Sequence, residues 1–346
     1  MRLALAVVLL LIAAPAAQAE TLTYRFGPIH VKPGQNTIEF AGNDLKPPVD
    51  GWITGFKPNL TYADGTVPRV DVIHLHHGVW LSNGRPLFAA GEEKTIVRVP
   101  DGYGWRHSAS DAWVMNHMIH NLTPDAADVY IDYELEFVPA SAGTPLNDVR
   151  TLWLDVMGLQ VYPVFDVHRG AGGRDGRYTY PRERRARGAY TANRLRVAED
   201  GVLVGSAGHL HPGGLWTDLH LERDGRRVRL FRSRAHYFEP AGAVSWDVAM
   251  TATPATWRVG VKRGDVLSVS ATYDSKRASW YEAMGIMTLA FHPGGSGPDP
   301  FAVDVDVPGR SRFGVRHVAR CAAGVPPGGP KPRLPESNRT GPSASG

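Results

Sequence analysis

Apolar positions along the chain recur in short runs with a period near two. They alternate with polar ones in "TLTYRFGPIHV", "VYIDYELEFVP", "RRVRLFRS" and "DVLSVSATY". Side chains of a strand point alternately to its two faces, so this alternation predicts strands with one buried face. Gly, Pro, Asp and Asn separate the runs, as in "PDGYGW", "LTPDAAD", "ERDGRR" and "KRGD". Helix-period stretches are hard to find after residue 20. Many short strands at regular spacing predict an all-β chain of sandwich or barrel type. The Pro/Ala/Gly stretch "VPASAGTPLNDV" (138–149) is the best linker candidate, dividing the chain into two parts of sandwich size. The expected layout is a first domain over 20–140 and a second over 150–320. From residue 321 to 346 the chain lacks core-forming residues, and a disordered tail is expected there.

The opening "MRLALAVVLLLIAAPAAQAE" breaks the alternation. Arg2, an apolar core and the small-x-small site Ala17-Gln18-Ala19 predict a cleaved signal peptide over 1–19, hence a secreted or periplasmic protein. The apolar run is too short to span a bilayer comfortably, and no stable membrane insertion is expected. Cys321 is the only cysteine, which excludes an intrachain disulfide; it sits at the edge of the tail and reads as incidental. With 346 residues and 43% hydrophobic content the chain can bury a core without staples. The net charge of +4 owes much to "RYTYPRERRARGAY" (177–190), which reads as a solvated loop. Nucleic-acid partners are not expected.

Chemistry concentrates in four segments: "IHLHHGVW" with His74, His76 and His77; "WVMNHMIHNL" with His117 and His120; "GHLHPGG" with His209 and His211; and "WYEAMGIM" with Met284 and Met287. Imidazole is the commonest protein metal ligand. Residues two apart on a strand share a face, so His209 and His211 can bind one ion as a pair. His74 and His76 share a face as well, whereas His76 and His77 face oppositely on a regular strand. Using both on one metal needs a bulge, with Gly78 a natural helper. Cysteine pairs are lacking, which excludes a structural zinc site of the Cys-rich kind. Imidazole suits zinc, copper, iron and nickel, and a thioether partner favours copper. Neither His76 nor His211 is followed by the carboxylate of a cupin metal motif.

The order of these segments resembles the copper type II, ascorbate-dependent monooxygenases, the family of peptidylglycine α-hydroxylating and dopamine β-monooxygenases. The matching stretches are "IHLHHGVW", "MIHNLT", "GHLHPGG" and "KRGDVLSVSATYD…WYEAMGIM", and together they span roughly residues 25 to 295. The resemblance implies two jelly-roll β-sandwich domains in tandem, facing each other across a solvent-filled cleft. It implies two coppers per chain. The electron-transfer copper would be held by His76, His77 and His120, with His74 and His117 as alternates. The oxygen-binding copper would be held by His209, His211 and Met284, with Met287 as alternate. It further implies hydroxylation of a C–H bond in a small organic or peptide-like substrate, using O2 and ascorbate or another reductant. Asp71, His74, Asp218 and His220 lie near enough in sequence to orient the ligating imidazoles. The family's animal members are disulfide-rich and commonly carry Met after the His-His pair, where this chain has Gly78. Two further readings are a non-catalytic exported copper-binding protein on the same fold, and a β-sandwich carbohydrate or adhesion module with structural histidines.

Overall fold

The structure, a computed structural model, describes residues 19–143, 145–158, 162–181, 193–238 and 247–311. The expected signal peptide (all but its last residue), most of the arginine-rich loop, Cys321 and the expected tail lie outside these residues. Among the described residues there is no α-helix, only strands and two short 3-10 turns. Among the described residues, no helix is long and apolar enough to cross a membrane.

The chain is all-β, folded as two jelly-roll β-sandwiches in tandem. In the first, the strands Glu20–Val31, Ala127–Pro139, Gly51–Tyr62 and Tyr103–His107 form one sheet. Asn36–Gly42, Trp113–Asn121, Ile73–Ser82 and Arg85–Gly91 form the other. Alternation decides what lies between them. Along Ala127–Pro139 the residues Val129, Ile131, Tyr133, Leu135 and Phe137 are buried, and those between them are more exposed. From the facing sheet Leu75, Trp80, Met115 and Ile119 close the core. At its centre the Phe56 ring stacks on Phe88 at 4.7 Å between centroids and meets Trp80 edge-on at 4.8 Å.

The second sandwich sets Gly201–Leu210 and Gly285–Pro293 against Gly214–Arg223, Val266–Asp274 and Arg226–Tyr237. Leu267, Val269, Ala271 and Tyr273 point into its core, while Ser268, Ser270 and Thr272 take the other face.

The stretch read as a linker is not a free tether. Its last residues begin the strand Asn147–Asp155, which runs parallel to Tyr103–His107 at Asn147–Val149 and antiparallel to Gly285–Pro293 from Arg150 onward. One strand thus bonds to both halves, and Val202, Val204 and Ala290 of the second half pack into the first core. Shared backbone hydrogen bonds and a shared core fix how the halves face one another, and the histidines lie where they meet.

Removing the Phe56 ring should leave a cavity the surrounding aromatics cannot fill. Phe56→Ala is expected to cost about 3–5 kcal/mol, read from chemical denaturation.

Candidate metal centre

The His-rich strand Ile73–Ser82 pairs with Trp113–Asn121 in two registers. Up to Leu75 it matches Ile119; from His77 it matches Met118. His76 is the extra residue of a β-bulge. A bulge reverses the alternation beyond it, so His74, His76 and His77 all leave the face that carries Leu75 into the core. The register also places His74 directly opposite His120, and His120 opposite Asn36 on the third strand. A row of polar side chains therefore crosses the sheet on its cleft side. His117, odd-numbered with core residues Met115 and Ile119, points the other way, toward Phe26 and Glu39.

His74, His76 and His120 each present a nitrogen within 4.8 Å of the other two, and all three are buried. The His76 ring stacks on His120 at 4.2 Å and 15°. His77 lies 5.7 Å from His76 and turns toward Tyr162. The alternate His74 thus occupies the place beside His76 and His120 that the resemblance gives to His77.

The second half supplies His209 and His211 from the end of the strand Gly201–Leu210, with ring centroids 5.1 Å apart. The Tyr273 hydroxyl, wholly buried, accepts the His211 backbone N–H at 3.1 Å and the Met284 N–H at 3.1 Å, and donates to the Met284 carbonyl. One phenol thereby ties the His-x-His end to the methionine segment. Met284 is buried and lines the cleft with His77 and His209. Met287, opposite Gly208 in register, belongs to the core of its own sandwich.

The two sets are not held apart across open solvent. His211 reaches to 4.4 Å from His76, so histidines of both halves form one continuous group. A turn missing from the sequence reading makes this possible. In "GEEKT", Glu92, Glu93, Lys94 and Thr95 are all buried between the halves. Glu93 meets His209 Nδ1 at 3.1 Å. Gly91 has no room for a side chain: an added Cβ would fall 2.5 Å from Glu93 Oε2, 2.8 Å from His209 Cε1 and 3.1 Å from the His76 carbonyl. Burial and the neighbouring Glu93 push the Glu92 carboxyl well above its ordinary range. Burial lowers the Lys94 amine to about 8.

Five of the imidazoles each have one nitrogen bound to an acceptor. His74 Nδ1 donates to the Val70 carbonyl at 2.6 Å, and His211 Nδ1 to the Glu282 carbonyl at 2.6 Å. His209 Nδ1 takes Glu93. His77 Nε2 donates to Asn116 Oδ1 at 2.8 Å, and His120 Nε2 to Asn36 Oδ1 at 2.9 Å. A ring whose N–H is so engaged presents its other nitrogen as a lone-pair donor, the arrangement that fixes metal-ligating histidines. Desolvation keeps His74, His76, His77, His120 and His211 neutral: burial and nearby His120 lower His74 to about 3, and burial lowers His77 and His120 to about 4. His76 and His211 are held well below the usual imidazole range, first by burial and then by neighbouring histidines. Neutral imidazoles, a thioether and buried carboxyls form a donor set that fits copper.

The orienting residues differ from those expected. Asp71 pairs with exposed Arg69, and Asp218 with Arg232. His220 sits with Asp218 and the arginines Arg227 and Arg229 in a separate pocket of the second sandwich. Asn36, Asn116, Glu93 and Tyr273 do the orienting instead. Of these, Asn116 was legible, since it is two and four residues from Met118 and His120 on one strand face. Asn36, Glu93 and Tyr273 come from elements that only folding brings near.

No family model matches the chain, and no curated protein matches it. Among solved structures it is similar to the tandem CBM51 modules of the family 98 glycoside hydrolase from Streptococcus pneumoniae SP3-BS71, at 7% identity and a TM-score of 0.22. That match covers 77% of this chain and 83% of that one. It is also similar to the infectious bursal disease virus VP2 subviral particle, at 13% identity and a TM-score of 0.23, covering 80% of this chain and 72% of that one.

Two outcomes test this geometry. Gly91→Ala should cost about 1–3 kcal/mol by overpacking the turn against His209, whereas Gly42→Ala, with open space around its Cβ, should cost far less; chemical denaturation of both compares them. The second outcome concerns pH. Rings with pKa lowered from 6.5 toward 3–4 take up protons on unfolding. The contribution of these histidines to the stability of the metal-free protein should therefore be full above pH 6.5 and fall progressively from pH 6.5 down to about 3–4, measured as the denaturation midpoint against pH.

Proposed function

We propose that the chain is an exported, copper-dependent monooxygenase that hydroxylates a C–H bond with O2 and a reductant such as ascorbate. The observation that carries the reading is the engaged second nitrogen on His74, His77, His120, His209 and His211 beside a buried methionine. Purely structural histidines need no such common arrangement. His74, His76 and His120 would hold one copper. His209, His211 and Met284 are the set for the second, with His77 across the cleft from them.

Copper bound there supplies one-electron chemistry and a place for dioxygen. The overall reaction inserts one oxygen atom into the C–H bond and releases the other as water, consuming two electrons from the reductant and two protons. The chain's own residues set the conditions for it. The Asn, Glu and carbonyl acceptors hold each ring in one tautomer. The Tyr273 hydroxyl keeps the Met284 segment in step with His211. The packed halves exclude bulk water from His74, His76 and His211, which are 1–3% exposed.

That depth of burial also favours a second reading, a non-catalytic exported copper-binding protein on the same fold, because a storage site gains from exclusion of solvent. Turnover separates the two: reductant-dependent O2 uptake with a hydroxylated product supports the enzyme, and tight copper binding without uptake supports the carrier.

The metal reading has its own check. Copper stoichiometry and EPR on the purified chain should show type II copper. His76→Ala should abolish the His74/His76/His120 signal, and His117→Ala, on the opposite face, should keep it. Asn36→Ala and Glu93→Gln should each weaken copper affinity about 10–100-fold without removing a ligand. A chain that retains no copper after dialysis would sink both readings.

A further inference from the structure

Two lobes of one cleft run from the histidines along the seam between the halves. The inner lobe is lined by His77, His209 and Met284 together with Trp153, Val79 and Ile286. The outer lobe is lined largely by apolar groups, Phe88, Trp105 and Leu289 among them. Ala89, Val97, Ala207 and Thr288 line both lobes, so the two lobes adjoin one another. Each leaves ≈ 60 Å³ in which the centre of a water molecule can move. Each therefore exceeds the about 10–15 Å³ that a single water needs, and the adjoining lobes admit a small molecule.

The charges lining the cleft are few and engaged. Glu93 is bonded to His209, and Arg98 at the outer end is paired with Glu136. No other Asp, Glu, Lys or Arg lines either lobe among the described residues. A charged ligand entering would lose its hydration without a free counter-charge, which is strongly unfavourable. Two hydroxyls, by contrast, stand ready. Thr95 in the wall of the inner lobe and Ser206 in the wall of the outer lobe are 5% and 6% exposed, and among the described residues neither buried hydroxyl has a hydrogen-bond partner. A buried hydroxyl left unpaired is costly, and a ligand with one polar oxygen would satisfy it.

We infer that this cleft binds a neutral, largely apolar small molecule carrying a single hydroxyl or carbonyl, with its apolar body between the halves. The assignment rests on the monooxygenase reading for its role as substrate site; the binding itself does not depend on copper.

Binding of benzyl alcohol, benzoate and benzylammonium to the metal-free full chain, followed by tryptophan fluorescence and calorimetry, tests the inference. Benzyl alcohol should bind at least about tenfold more tightly than either ion. Val97→Phe, which fills the junction of the lobes, should abolish binding. The near-isosteric Thr95→Val should weaken benzyl alcohol but not toluene, and it serves where the larger substitution disturbs folding. Equal or tighter binding of an ion, or unchanged affinity in both variants, overturns the inference. Copper EPR on the same preparations reports separately on the metal reading, so either can fail alone.

Discussion

The structure turns on one irregularity in hydrogen bonding, the bulge at His76. A regular strand would send His76 and His77 to opposite faces and bury one imidazole among Leu75, Trp80 and Phe56. The extra residue lets the strand keep its apolar side chains in the core on both sides of the bulge. It also gives the cleft three imidazoles from four consecutive positions. Desolvation then does the rest: imidazoles this close and this buried are tolerable only when neutral, and neutral imidazole is the form that donates to a metal.

The same constraint reaches the second half. His76 and His211 can approach to 4.4 Å because Gly91 has no side chain and because the strand Asn147–Asp155 is bonded to both sandwiches. A flexible linker would leave the two histidine sets to find one another at an entropic cost; a strand shared by both sheets removes that freedom. The seam is therefore part of the core rather than an open gap, and the space that remains along it is narrow, apolar and nearly free of unpaired charge.

Much of this was legible in the linear chain, and the exceptions share a cause. Alternation marked the strands and their buried faces because the period of a strand is local. The His-x-His spacing at 209 and 211 marked a shared face for the same reason. His117 and Met287 stayed alternates in the linear chain; the folded structure turns His117 toward Phe26 and Glu39 and packs Met287 into the core of its own sandwich. Apart from Asn116, the orienting residues were not legible. Proximity in sequence suggested Asp71, Asp218 and His220, yet Asp71 pairs with Arg69, and Asp218 and His220 belong to an arginine-lined pocket of the second sandwich. "GEEKT" carried no local signal of its role, because charge in a short loop ordinarily means exposure; here Glu92 to Thr95 are all buried.

The sequence by itself determined the strands, the all-β class and which residue types could meet a metal, since each follows from local periodicity and side-chain chemistry. Tertiary structure alone decided that His74 lies with His76 and His120, that His211 joins them from the other half, and that Asn36, Glu93 and Tyr273 fix the rings. Those facts depend on strand register and on how two sheets meet. Such relations arise from pairing between distant segments, which no local pattern records.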